Sequence, residues 1–122
     1  MFKQINLMTI DGEDRAFKFL ATGTTAYRYR QVFHQDLMMQ LNKMGLFREE
    51  GVSEDAVDST VIEKLAFIMN AQAERKDMNA LNFDSFLEWA DQFASMEMIT
   101  HASEIVEVYL GSKVTSSTPK KG

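Results

Sequence analysis

The sequence predicts a mainly α (α+β) fold: four to five helices packed as one small domain behind a short N-terminal β-hairpin. Three observations predict it. Between residues 24 and 110, apolar side chains recur three or four apart in several separate runs, the spacing of helices with one buried face. Before residue 22 the pattern changes to short alternating segments around Asp11-Gly12, a strong turn former. A chain of 122 residues normally makes one domain with a modest core.

The hairpin, about residues 2–21, comes from Ile5–Ile10 and Ala16–Ala21 flanking the turn sequence Asp11–Arg15. A two-stranded ribbon is marginal alone, so it must lean on the helices or pair its open edge with another chain. The first helix is expected over about 25–44. Thr24 or Thr25 serves as its N-cap, Ala26, Tyr29, Phe33, Leu37, Leu41 and Met44 form its apolar stripe, and Gly45 is its left-handed C-cap. Phe47–Asp55 reads as a polar connection. A second helix near 56–75 carries Val57, Val61, Leu65, Ile68 and Gln72 on one face, widened by Ile62 and Met69. Lys76–Asn82 is a loop, after which Asn82 or Asp84 caps a third helix running to about Phe93. A last helix or helix pair over 96–110 uses Ile99, Ile105, Val106, Tyr109 and Leu110, and Gly111 stops it. The domain therefore spans 1–111. Residues 112–122 hold the single proline and no apolar period, which predicts a flexible tail.

Composition narrows the function classes. Without cysteine, disulfides, thiolate nucleophiles and Cys-based metal sites are excluded. The N-terminal segment is interrupted by Gln4 and Asn6, which argues against a signal peptide or membrane span and fits a cytoplasmic protein. The net charge of −5 is unevenly divided: seven basic against four acidic residues in 1–48, three against fourteen in 49–111, and three against none beyond. So acidic a centre repels phosphate backbones, and the Arg28 and Arg30 pair is poor evidence for nucleic-acid binding. These charges either solvate helix faces or let the basic front of one copy meet the acidic back of another.

No catalytic constellation is present. His34 with Asp36, and His101 with Glu104, each supply only part of a metal site, and both histidines read as ordinary polar helix positions. No nucleophile elbow, phosphate loop or calcium loop surrounds the hydroxyl and carboxylate residues, so neither enzyme activity nor a cofactor is expected. Phe83, Phe86, Trp89 and Phe93 share one helical face. That face either fills the core or, with Met96 and Met98, lines a partly exposed groove for the apolar helices of a partner. Tyr27, Arg28 and Arg30 in the first turns of the first helix are interface candidates by residue type, the alternative being plain solvent exposure.

Phe17-Lys18-Phe19, Tyr27-Arg28-Tyr29-Arg30, Asp36-Leu37, the apolar run Ala66–Met69 and the acidic aromatic segment Phe86–Trp89 occur in an order that resembles the tail assembly chaperones of long-tailed bacteriophages, especially those of Gram-positive hosts. The likeness spans roughly residues 15–111. It implies a chaperone that coats the tape measure protein, a very long, helix-rich and aggregation-prone chain, in the host cell cytoplasm. It also implies help in recruiting tail tube protein, and absence from the mature virion. A structural tail component of terminator or connector type is the alternative within binding proteins, and a small helical nucleic-acid-binding regulator is the alternative outside them. In that family a ribosomal slip near the end of the gene appends a second domain to a minority of chains. Pro119-Lys120-Lys121 can be encoded CCA-AAA-AAG, which permits such a frameshift and a longer fusion form.

Overall fold

The computed structural model describes residues 1–45 and 58–117. Strands β1 (Phe2–Met8) and β2 (Asp14–Leu20) form an antiparallel hairpin, followed by α1 (Thr25–Phe33), α2 (Leu37–Lys43), α3 (Ser59–Ala73), α4 (Phe83–Ala90), α5 (Glu97–Thr100) and α6 (Ala102–Ser117). The α+β class with an N-terminal hairpin is thus observed. The expected connection Phe47–Asp55 and the stripe residue Val57 lie outside the described residues.

Phe2 pairs with Leu20 and Met8 with Asp14, and Gly12, at φ +83°, turns the chain between the strands. Met1 and Ala21 exchange both backbone hydrogen bonds, so by alternation the odd-numbered residues of β1 face β2 through the ladder. Ile5, Leu7 and Phe19 are buried on the inner face, which is how the ribbon leans on the helices. The edge of β1 is closed at one end. Ile10 donates to the Gln92 carbonyl at 2.8 Å, and Ala94 donates to that of Met8 at 3.1 Å.

Helix α3 is the axle of the domain. It packs against β2 and against each of the other five helices, and every residue from Leu65 to Ala71 is buried. Apolar side chains around its whole circumference suit a helix enclosed on all sides. Asp58 caps it by accepting from the Thr60 amide at 3.0 Å.

Five expectations are corrected. The single helix expected over 25–44 is two. His34 adopts the left-handed region at φ 57° to end α1, and Asp36 starts α2 by accepting from the Met39 amide at 3.0 Å. Tyr29, Phe33, Leu37, Leu41 and Met44 remain buried across the break. Thr24 precedes α1 without a side-chain cap bond, and Thr25 is committed elsewhere, as described below. Helix α4 stops at Ala90 rather than Phe93; its start is as expected, with Asn82 and Ser85 capping each other's amides. The loop after α3 contains a 3₁₀ turn, Met78–Ala80. At the C-terminal end Gly111 (φ 68°, ψ −165°) interrupts the helix where the stop is expected, but the backbone resumes helical geometry to Ser117. The rest of the expected tail, 118–122, lies outside the described residues.

Candidate protein-binding surface

Burial divides the eight candidate contact residues into two groups. Phe86, Trp89, Phe93 and Met98 are in the core. Of the two readings of this aromatic face, burial favours the core over a groove lined by Trp89 and Met98: Phe86 meets Phe33 and Phe67 edge-on, and Trp89 packs against Phe67 and Phe93. Phe93 reaches this cluster from the turn after α4, bridging to Thr9, and not from a helical face. Met96, 63% exposed, is separated from them on the surface.

The cluster holds a polar keystone that the periodic pattern conceals. Asn70, 4% exposed in the middle of α3, accepts from Trp89 Nε1 at 2.9 Å and donates from Nδ2 to the Lys18 carbonyl at 2.9 Å. By the ladder alternation that carbonyl points away from β1, so one amide satisfies both the indole and the outer edge of the hairpin.

Tyr27, 74% exposed, and Arg30 lie on the surface of α1. Arg28 is half-buried and donates to Gln31 at 3.0 Å. Beside Arg28 is a pocket of about 430 Å³ that also involves Arg75 and Lys76. Thr22, Thr24 and Gln72 of its lining belong to a hydrogen-bond network. Thr25 Oγ1 accepts from the Thr22 amide and donates to Gln72 Oε1 at 2.7 Å, while Gln72 Nε2 donates to the hydroxyls of Thr22 and Thr24 at 3.1 and 3.2 Å. This accounts for the uncapped start of α1: both threonine side chains serve the contact with α3. Gln72, half-buried, is the polar end of the helix face it shares with Leu65 and Ile68.

Arg75 ends α3 in an unusual way. Its own amide donates to Gln72 and that of Lys76 to Ala71, a pairing in which the residue between turns left-handed, here at φ 58°. Glycine is the usual occupant because a side chain costs roughly 1–2 kcal/mol there. Arg75 takes that conformation nonetheless.

Among the described residues the remaining exposed large apolar side chains are Met38 and Met39 on α2, Phe83 and Leu87 on α4, and Met1, Phe2, Met8 and Ile10 at the hairpin. Asp84 and Glu88 on α4, and Asp91 just after it, are exposed alongside them. The methionines among them, unbranched and polarizable and set among charges, suit a surface that adapts to varied apolar partners.

His101, a weak metal-ligand candidate in the sequence, is held between two carboxylates, with Nε2 3.0 Å from Glu97 and Nδ1 2.6 Å from Glu104. Glu97 also accepts from the Met8 amide at 2.8 Å, and Lys3 lies 3.6 Å from Glu104, so the group ties the hairpin to α5 and α6. His34 is exposed at the break after α1. Among the described residues no group of three His, Cys, Asp or Glu side chains is placed to hold a metal ion, and no helix is long and apolar enough to cross a membrane.

The hydrogen bond from His101, followed by the charges of His101 and Lys3, holds the Glu104 carboxyl below the usual carboxylate range. A carboxylate with a lowered folded-state pKa contributes stability above its unfolded pKa and loses it as pH falls through the folded one. Glu63 acts in the opposite sense: desolvation raises it, so its protonation relieves a cost. Glu104→Gln is therefore expected to flatten the acid limb of the stability–pH curve below about pH 4.5, whereas Glu63→Gln removes a gain in stability that accrues as pH falls towards about 4.5 from above. Urea titrations across that range measure both slopes, and an unchanged acid limb in Glu104→Gln would contradict the assignment.

No family model matches the chain, and no curated protein or solved structure matches it.

Proposed function

We propose that the chain is a non-enzymatic tail assembly chaperone of a long-tailed bacteriophage. It holds the tape measure protein soluble in the host cytoplasm, helps bring tail tube protein to it, and is left out of the finished virion. The observation that carries this reading is the ordered set of segments from Phe17-Lys18-Phe19 to Phe86–Trp89. Support comes from an exposed apolar set, half of it methionines, and from the exposed Tyr27 beside Arg28 and Arg30. Asp36-Leu37 departs from the family pattern, since it opens α2 where the resemblance has it close a helix. No cofactor takes part. Many weak copies along one long chain add up by avidity, without a tight single site.

Co-expression is expected to move the tape measure protein from pellet to supernatant. Unchanged solubility would sink the reading. The second reading, a structural tail component, is favoured by the hairpin, whose ribbon could pair with a neighbouring subunit. Mass spectrometry separates the two. A chaperone is abundant in infected lysate and at most trace in purified particles, and the same lysate should contain the longer frameshift form as a minor species.

A further inference from the structure

We infer that the pocket between α1 and the end of α3 is a carboxylate-binding site that receives an acidic side chain of the protein partner; its physiological part rests on the chaperone reading.

Three cations surround the pocket, from Arg28, Arg75 and Lys76, and no acidic residue lines it. None of the ion pairs among the described residues involves these three. The threonine network ends in a donor. Thr22 Oγ1 accepts from the Thr24 amide and from Gln72 Nε2, which occupies both its lone pairs and directs its proton to Thr24 Oγ1, 3.1 Å away. Thr24 Oγ1 then accepts from Thr22 and Gln72, and its own proton is left for an acceptor outside the network. An oxyanion supplies such an acceptor.

Arg75 strengthens the assignment. A glycine would relax the backbone at φ 58°, yet the side chain present is one that can grip a carboxylate with two parallel bonds. An observed backbone outlier of this kind points to a local role for the side chain. Leu20 and Met78 add apolar wall, which suits the methylene stem of a glutamate. A polyanion is disfavoured, because residues 49–111 carry fourteen acidic against three basic side chains and would repel successive phosphates. One carboxylate on a helical partner meets no such barrier.

The test has two arms on the full chain. In an amide NMR titration, N-acetyl-glutamate amide is expected to shift Thr22, Thr24, Gln72 and Arg75. The glutamine analogue should leave them unmoved, and Arg75→Gly should abolish the response while keeping or raising the thermal midpoint. No shift, or a response to inorganic phosphate at lower concentration than to the glutamate compound, overturns the carboxylate assignment. In co-expression, Arg75→Gly is expected to leave about tenfold less partner in the supernatant, the scale of losing one charge-assisted contact. If the wild type solubilises the partner and Arg75→Gly does so equally, the pocket inference fails and the chaperone reading stands. If the wild type fails to do so, the chaperone reading and the acidic side chain of that partner fall together, and the titration alone decides whether the pocket binds carboxylate.

Discussion

Asn70→Ala is expected to destabilise the fold by about 2–4 kcal/mol, because it leaves two polar groups unpaired at once. The Trp89 indole N–H loses its acceptor, and the outward carbonyl of Lys18 loses the Asn70 amide. The indole is the costlier loss: Trp89 is 8% exposed and enclosed by Phe67 and Phe93, so little water can replace the amide oxygen. Asn70→Asp is worse in kind. It keeps an acceptor for Trp89 but places a carboxylate against the Lys18 carbonyl. Trp89→Phe removes the other end of the bond, and the double variant Asn70→Ala/Trp89→Phe should cost clearly less than the two single changes added together, since the partners disappear as a pair. Urea denaturation of the four proteins gives the coupling. Strict additivity would mean that the bond contributes nothing.

The same keystone shows why part of the architecture is legible in the sequence and part is not. The stripe Tyr29, Phe33, Leu37, Leu41 and Met44 correctly identifies a buried face. It cannot reveal the break at His34, because α1 and α2 both turn that face inward and the four-residue step from Phe33 to Leu37 survives the interruption. The signal for the break was Asp36, a residue that caps helices better than it continues them. Phe93 was misplaced for a related reason. Its spacing from Phe86 and Trp89 fits a helix, but a turn follows Ala90 and the backbone of residues 92–94 hydrogen-bonds to Met8 and Ile10, which holds Phe93 in the core at a bridge to Thr9. Such long-range pairing leaves no local mark.

The pocket was the least legible feature. Thr22 and Thr24 are 50 and 48 positions from Gln72, and only the fold brings their lone pairs together. Arg75 follows a helix with no glycine to announce a left-handed turn. Arg28 could be singled out by its residue type, but its cationic neighbours could not. Conversely, the aromatic spacing that made Phe86, Trp89 and Phe93 candidates is the spacing of core residues, and burial resolves that alternative in favour of the core.

What the surface retains is a set of adaptable apolar groups, Met38, Met39, Phe83, Leu87 and Met96 among them, dispersed over an acidic body. On the chaperone proposal, these groups would cover apolar stripes of the partner while the charged exterior keeps the complex in solution. The most direct measurement is light scattering after dilution of denaturant-unfolded tape measure protein into buffer with increasing amounts of the purified chain. Scattering is expected to fall progressively with the ratio of chain to partner, because each copy covers one stretch of a long polypeptide, while an equal mass of albumin leaves it high. Scattering that stays at the albumin level at every ratio would contradict the chaperone account.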